Sequence, residues 1–219
     1  MKKLFTATLL FSFVLFLGIF LTGCVNYEQK TELTKDGSGE MQIHYWTKMS
    51  NFSMGTKLGS FNFAESDVKA DYTSGNTEIK DLKVEDDLKD SIKHVRVKLA
   101  FKDINKLSDA TAFKKLNVSW KEGDKGMEFV YEVPKDTSAS GDYKLIYEFK
   151  LPGEILETNG TKDGETVKWN KTLDDIKKQD LKMTATVKSG KKCGLFGLEL
   201  PLVLGLGLTI FVASRKLRK

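Results

Sequence analysis

The chain contains 219 residues, of which 40% are hydrophobic and 30% charged, and its formal net charge is +5 at pH 7. Six of its basic residues lie at the two ends of the chain: Lys2, Lys3, Arg215, Lys216, Arg218 and Lys219. The part between them is therefore close to neutral with both signs mixed, which argues against a nucleic-acid partner, because such a partner favours a basic stripe.

The N-terminal segment has the parts of a secretory signal peptide, because two lysines precede an almost unbroken apolar run over residues 4–21. It ends in Leu21-Thr22-Gly23-Cys24. This ending resembles the lipobox of bacterial lipoproteins, in which a leucine, small residues and a cysteine follow one another. The resemblance implies a diacylglyceryl group on the Cys24 thiol and cleavage before it, so that residues 1–23 form a lipoprotein signal peptide. The alternatives are a chance cysteine at the end of a signal peptide and an uncleaved membrane anchor.

A β-hairpin is predicted directly after Cys24. Residues 25–34 and 40–47 alternate apolar and polar side chains, as half-buried strands do. The turn between them contains the Asp36-Gly37 pair, which tolerates a positive φ. One face of the first strand carries Val25, Tyr27, Gln29, Thr31 and Leu33.

Residues 48–63 are rich in methionine and phenylalanine but are interrupted by Gly55 and Gly59. One interpretation is a loop or frayed helix whose apolar residues tuck onto the sheet. The other is a mobile flap over an apolar cavity, since flexible Met and Phe side chains adapt to varied ligands. Under the second interpretation the candidate ligand-binding residues are Phe52, Met54, Leu58 and Phe61.

The spacing of apolar residues predicts a helix over residues 62–72, with Asn62 and Glu65 as a capping pair, and a second helix over 103–116. Alternation predicts strands over 77–86, 91–102, 143–151 and 181–188, and hairpins over 117–133 and 153–170. Short turns join most neighbouring strands, which favours antiparallel pairing. We therefore expect an α+β domain over residues 24–190: a curved, mostly antiparallel sheet with one or two packed helices.

A second membrane anchor is predicted near the C-terminus. Residues 194–213 contain a single charge, Glu199, and are long enough to cross a hydrocarbon core of ~30 Å as a helix. The basic residues 214–219 then form a cytoplasmic tail. A lipid on Cys24 and this helix must share one bilayer. The prediction is therefore a protein of the cytoplasmic membrane whose domain lies on the extracytoplasmic side.

No motif for catalysis, a metal or a cofactor stands out. The two histidines, His44 and His94, lie on the predicted polar faces of strands and are read as surface residues, because no spacing suits zinc. Nucleotide-binding, hydrolase and metalloprotease motifs are missing. We therefore expect no enzyme, no cofactor and no metal site.

The layout resembles the LppM-type domain of bacterial membrane lipoproteins. The resemblance lies in Cys24 leading straight into a strand and in the turn Asp36-Gly37-Ser38-Gly39. It continues in the late segments Leu151-Pro152-Gly153-Glu154-Ile155, Asn159-Gly160 and Val167-Lys168-Trp169, which precede the apolar C-terminal run. It implies a membrane-anchored, β-rich envelope domain that binds lipid-like molecules, and it carries over no catalytic residue.

The function expected from these features is that of a non-enzymatic envelope lipoprotein, doubly anchored, which binds lipid or another apolar ligand near the bilayer. A structural module that recruits another envelope protein, through a sheet edge or the membrane helix, is the alternative. A hydrolase is the third possibility, and it requires two carboxylates that face each other in a cleft.

Overall fold

The computed structural model describes residues 25–52, 55–137 and 143–188, all within one compact unit. Cys24, Met54, the predicted signal peptide, the predicted span 194–213 and the basic tail lie outside the described residues. None of the helices within the described ranges is long and apolar enough to cross a bilayer.

The described residues form thirteen strands and two α-helices. The strands are β1 (Asn26–Leu33), β2 (Gly39–Lys48), β3 (Lys57–Leu58), β4 (Phe61–Asn62), β5 (Thr77–Asp87), β6 (Ile92–Phe101), β7 (Asn117–Glu122), β8 (Met127–Val133), β9 (Lys144–Lys150), β10 (Ile155–Thr158), β11 (Thr161–Asp163), β12 (Thr166–Thr172) and β13 (Leu181–Val187). The helices are α1 (Glu65–Tyr72) and α2 (Leu173–Lys178).

The predicted first hairpin is confirmed. β1 and β2 pair antiparallel from Asn26 opposite Trp46 to Leu33 opposite Gly39. The predicted inward face of β1 is buried from Val25 to Leu33 at every second residue. Gly37 closes the turn with a φ of +87°, a conformation that a residue with a Cβ rarely adopts.

This hairpin lies in a seven-stranded sheet with the order β11-β12-β9-β1-β2-β6-β5. β1 pairs parallel to β9, while the other strand pairs of this sheet are antiparallel. A parallel pair needs a long connection, and the chain between β1 and β9 is long enough to supply one. The expectation of a mostly antiparallel α+β fold is thus met, with this one exception.

A second sheet, ordered β10-β13-β8-β7, faces the β1-β9-β12 part of the large one. The two layers meet through aromatic rings, with centroids 4.8 Å apart for Phe129 and Phe149 and 5.8 Å apart for Tyr131 and Tyr147. The predicted single curved sheet is therefore corrected to two packed sheets. Such packing follows from strands that bury one face against a second layer.

The predicted hairpin over residues 153–170 is wrong in its pairing. β10 pairs with β13, with Ile155 opposite Val187, and so belongs to the small sheet. The actual hairpin is β11–β12, where Asp163 lies opposite Thr166. The sequence signals at Asn159 and Gly164 correspond to two separate turns. The alternation of apolar and polar residues does not show which strands pair with each other.

The helical segments cover the part of the large sheet that the small sheet leaves open. α1 confirms the first predicted helix and buries Val68 and Tyr72, although Asn62 bonds to Asp71 instead of capping with Glu65. The second predicted helix is instead two 3-10 turns, Ile104–Asp109 and Thr111–Phe113. Their buried residues Ile104, Leu107, Ala110 and Phe113 recur every three positions. That period matches a 3-10 helix of three residues per turn.

Candidate functional site

The stretch predicted as a flap folds as a short 3-10 turn, Met49–Asn51, followed by the two-stranded ribbon β3–β4. We call residues 49–63 the flap. Its start is held by a hydrogen bond from the Met49 amide to the Ser91 carbonyl at 2.8 Å. Near the end of the flap, the Phe63 amide donates a hydrogen bond to the Thr56 carbonyl at 2.7 Å. The ribbon between Thr56 and Phe63 has two residue pairs, Lys57–Asn62 and Leu58–Phe61.

Three of the four candidate ligand-binding residues pack onto the core. Phe52, Leu58 and Phe61 are partly buried against the buried cluster, and Met54 lies outside the described residues. The Phe61 ring centroid is 5.2 Å from that of Tyr45 and 6.0 Å from that of Tyr27. Phe52 meets Phe63 edge to face at 5.0 Å. In the structure, Phe61 therefore packs against core tyrosines, whereas Phe52 packs against Phe63 at the end of the flap.

Phe61 of the flap contacts two members of a group of buried tyrosines, Tyr27, Tyr45, Tyr72, Tyr131 and Tyr147, which we call the tyrosine layer. Rings of Tyr27 and Tyr147 are 5.5 Å apart, and those of Tyr131 and Tyr147 are 5.8 Å apart. Burial raises the pKa of each of these phenols above its ordinary value, because the charged form would lose its hydration. The tyrosine layer is therefore uncharged. It consists of apolar rings and of hydroxyl groups that donate or accept hydrogen bonds.

A buried polar network ties the tyrosine layer to β1. The hydroxyls of Tyr27 and Tyr131 donate to the Oε1 atom of Gln29 at 2.7 and 3.1 Å. Gln29 in turn donates from Nε2 to the hydroxyl of Thr31 at 3.0 Å. Alternation along β1 placed Gln29 and Thr31 on the inward face, but the partner from β8 could not be inferred, because the sequence does not indicate which strands face one another.

Two hollows in the described part of the chain are lined by residues outside the flap. One hollow of about 600 Å³ is open to solvent and is lined by Glu85, Asp86, Asp87, Leu88, His94 and Arg96. Another of about 340 Å³ lies on the outer face of the large sheet among alternating lysines and glutamates. The flap instead contacts the tyrosine layer through Phe61.

The acids in the first hollow are paired with basic residues. Glu85 forms an ion pair with Arg96 at 2.5 Å, and Asp86 forms one with Lys93 at 2.7 Å. Among the described residues, no group of three or more His, Cys, Asp or Glu side chains is placed to hold a metal ion.

The two histidines were predicted as surface residues on the polar faces of strands, and the structure places their partly exposed rings side by side. The Nε2 atom of His44 lies 3.0 Å from the Nδ1 atom of His94, and the His44 ring stacks on Trp46 at 4.5 Å. Partial burial, followed by the charges of Arg96 and His94, lowers the pKa of His44 to about 4. Burial and Arg96 also lower the pKa of His94. The pair is thus mainly neutral near pH 7 and forms a stacked, polar patch on the outer face.

Comparison with models of known protein families identifies a family for this chain. A model of the LppM domain matches residues 56–189. Among solved structures, the NMR structure of the folded domain of Mycobacterium tuberculosis LppM is similar, with a TM-score of 0.47 and 14% sequence identity. That similarity covers 79% of this chain and 94% of the other. The comparison with curated proteins gave no match.

Proposed function

Because the chain belongs to the LppM domain family, as its sequence motifs predicted, we propose that it is a non-enzymatic lipoprotein of the cell envelope that binds lipid or another apolar ligand. A lipid on Cys24 and a membrane helix over residues 194–213 hold it in the cytoplasmic membrane. Its domain then lies on the extracytoplasmic side. The ligand binds where the flap now rests, on the tyrosine layer.

The packing of Phe61 on Tyr27 and Tyr45 is the observation that carries this proposal. An aromatic side chain on a movable segment occupies the place that an acyl chain or other apolar group takes when the flap lifts. Gly55 and Gly59, on either side of β3, have φ values of +79° and +57°, which glycine adopts without a steric penalty, and a Cβ at either position would meet nothing within 4 Å. The ribbon has two residue pairs, and Asn62 at its end also donates to Asp71 and accepts from the Tyr45 hydroxyl, so lifting the flap breaks these bonds as well.

The test uses the fragment of residues 25–188, which contains the whole described core. Native mass spectrometry asks whether lipid co-purifies, and a fluorescent fatty acid such as parinaric acid reports binding. We expect the fragment to bind and Phe61→Ala to raise the association rate by about threefold or more, since the tyrosine layer is then less covered. Leu156→Ala, an exposed position remote from the flap, is the matched control and leaves the rate unchanged. Absence of both bound lipid and probe binding contradicts the proposal.

The scaffold alternative rests on β5, an edge strand of eleven residues in the large sheet. Edge strands recruit partners by adding a strand. However, β5 is rich in charges and has an irregular register between Ile79 and Asp81, features that protect edges from pairing. A photo-crosslinking residue at Lys83 tests it, since recovery of one stoichiometric envelope protein favours this alternative over ligand binding.

A further inference from the structure

The chain contains two histidines, and the large sheet brings them together on its outer face. Trp46, two residues after His44 on β2, lies opposite His94 on β6, so the two histidines are diagonal neighbours within reach of each other. Their contact joins Nε2 of His44 to Nδ1 of His94 at 3.0 Å. Successive side chains of a strand point to opposite faces, so the contact lies on the other side of the sheet from Tyr45, which meets the flap. We call His44, Trp46 and His94 the histidine patch.

The distance between the two ring nitrogens fits a pair of ligands on one metal ion. With metal–nitrogen bonds of about 2.0–2.1 Å, two nitrogens are about 2.8–3.0 Å apart when they bind at right angles and about 3.3–3.4 Å apart when they bind tetrahedrally. The observed 3.0 Å matches the right angle, which is typical of tetragonal Cu²⁺ and Ni²⁺ sites. Without an ion this contact is a hydrogen bond between the rings. An ion takes the place of the hydrogen when that hydrogen moves to the other nitrogen of its ring and both rings turn toward the ion.

Both rings are held in a form that suits a metal ligand. Partial burial and the charge of Arg96 lower the pKa of each histidine, so the rings are mainly neutral near pH 7 and keep a lone pair for an ion. The Trp46 ring is nearly parallel to both, at 4.5 Å from His44 and 6.3 Å from His94, and so limits their rotation. Both histidines are partly exposed, which leaves the other positions around an ion open to water.

Charges of both signs surround the histidine patch. Glu28 lies opposite His44 across β1 and β2, and Glu85 lies opposite His94 across β5 and β6. Arg96, the other neighbour of His44, forms an ion pair with Glu85 at 2.5 Å. Within the described ranges no third His, Cys, Asp or Glu stands ready as a ligand beside the pair. Water therefore completes the coordination, and Glu85 is available only when it leaves Arg96.

We propose that His44 and His94 form a binding site for a divalent transition-metal ion, with Cu²⁺ bound more tightly than Ni²⁺ or Zn²⁺. Cu²⁺ has the highest affinity of these ions for nitrogen ligands, and its tetragonal geometry matches the spacing of the two rings. Because the histidines are 50 residues apart in the chain, only the folded sheet assembles the site. The site goes beyond the proposed function and depends neither on the lipid anchor nor on the flap.

The experiment uses the full chain in detergent at pH 7, without a histidine tag. Cys24→Ser and Cys193→Ser remove the two thiols of the chain, because thiolates bind these metals. Isothermal titration calorimetry with Cu²⁺ and Zn²⁺ should give one site for Cu²⁺ with a Kd of about 10 µM or below, and weaker binding of Zn²⁺. His44→Gln and His94→Gln should each weaken Cu²⁺ binding about tenfold or more.

A charge substitution separates an ion at the patch from one bound elsewhere. Arg96→Gln removes a nearby positive charge and frees Glu85, so it should strengthen Cu²⁺ binding about threefold or more. Lys98→Gln is the matched control, because it removes a positive charge from the same strand but frees Glu40 instead, and it should change the affinity less. Weaker binding in Arg96→Gln than in Lys98→Gln overturns the placement of the ion.

Electron paramagnetic resonance of the Cu²⁺-loaded protein needs no change to either histidine. Since the chain has two histidines, coupling of the ion to two imidazole nitrogens identifies the pair. Coupling to one imidazole or to none overturns the site, as does a Kd above about 100 µM or an equal affinity in His44→Gln, His94→Gln and the parent chain. Circular dichroism of each variant checks that it is folded, and the resonance spectrum decides alone if a variant is not.

Discussion

Gln29 is the residue whose burial is hardest to reconcile with a purely apolar core. It is fully buried, and it accepts hydrogen bonds from Tyr27 and Tyr131 while donating to Thr31. Because Tyr131 belongs to the small sheet, the network fixes how the two layers lie against each other. A buried polar group that is fully bonded is nearly neutral for stability, whereas one that loses its partner costs free energy.

The substitution Gln29→Leu should therefore lower the free energy of unfolding by about 2–4 kcal/mol, since two tyrosine hydroxyls lose their shared acceptor. Urea denaturation of residues 25–188 measures the change. The matched control is Gln42→Leu, on the exposed outer face of the neighbouring strand, where we expect a change within about 0.5 kcal/mol. Equal effects at both positions contradict the role of the network.

The histidine pair predicts how stability depends on pH. The pKa of His44 is about 4 in the folded protein, because burial and the charge of Arg96 disfavour the protonated ring, whereas an unfolded histidine has a pKa of about 6.5. Protons therefore bind the unfolded state more readily. The stability that comes from the neutral His44 ring is therefore present above about pH 6.5 and is lost as the pH falls toward about 4. The acids near the pair, Glu85 and Asp87, oppose this only in part.

Replacing His44 by glutamine keeps a neutral polar group there and removes the titration. We expect the loss of stability between pH 7 and pH 5 to be smaller in His44→Gln than in the native protein, as measured by urea denaturation at both values. Asp36→Asn serves as the control, because hydrogen bonds from Thr34 and Ser38 lower the pKa of Asp36 to about 2 and its contribution fades only in more acidic solution. Parallel pH profiles for His44→Gln and the native protein would show that the pair does not titrate in this way.

At the scale of single elements, the β1–β2 hairpin depends on a close approach of its strands. A Cβ on Gly39 would overlap the carbonyl oxygen of Glu32 and crowd the ring of Phe101. Gly39→Ala should thus cost about 3 kcal/mol or more, because a backbone atom cannot yield as a flexible side chain can. Gly75→Ala, where a Cβ would meet nothing within 4 Å, should be neutral or slightly stabilising. Thermal unfolding of both variants measures the two changes in stability, and equal changes would contradict the close approach at Gly39.

The elements that the sequence predicts well are those whose burial follows from alternation alone. β1, β2 and β6 each bury every second residue, and their hairpin turns carry local signals such as Asp36-Gly37. The 3-10 turns were misread as one helix because a spacing of three or four fits both types over a short stretch. α2 was missed, although Thr172 and Asp175 form a capping box, because six residues give too little periodicity.

The sequence left two interpretations of residues 48–63, a loop whose apolar residues tuck onto the sheet and a mobile flap over an apolar cavity. Phe52, Leu58 and Phe61 pack on the core, as the first interpretation expects, and the ligand-binding role of these residues stays a prediction. The tyrosine layer was not predicted, because its members come from β1, β2, α1, β8 and β9, and their meeting depends on long-range pairing. The partnership of His44 with His94 likewise requires the β2–β6 register.

At the scale of the whole described unit, the large sheet is covered in two unlike ways. The small sheet packs against it through an aromatic seam in which Phe129 contacts both Phe149 and Trp169. α1, the 3-10 turns and the flap cover the remainder. Among these covering segments, the flap is held together by the shortest elements, the strands β3 and β4. We therefore expect the flap to open first while the rest of the domain stays folded.

Hydrogen–deuterium exchange of residues 25–188 tests this division. Amides of β3 and β4 should exchange far faster than those of β8, because a two-pair ribbon opens locally while β8 exchanges only when the layers separate. Parinaric acid should then speed exchange in the flap and leave β8 unchanged, since the ligand replaces Phe61 on the tyrosine layer and lifts the flap. Flap amides as protected as those of β8 would mean that the flap is a fixed part of the core. The tyrosine layer would then be closed to ligands, and the scaffold alternative would be favoured instead.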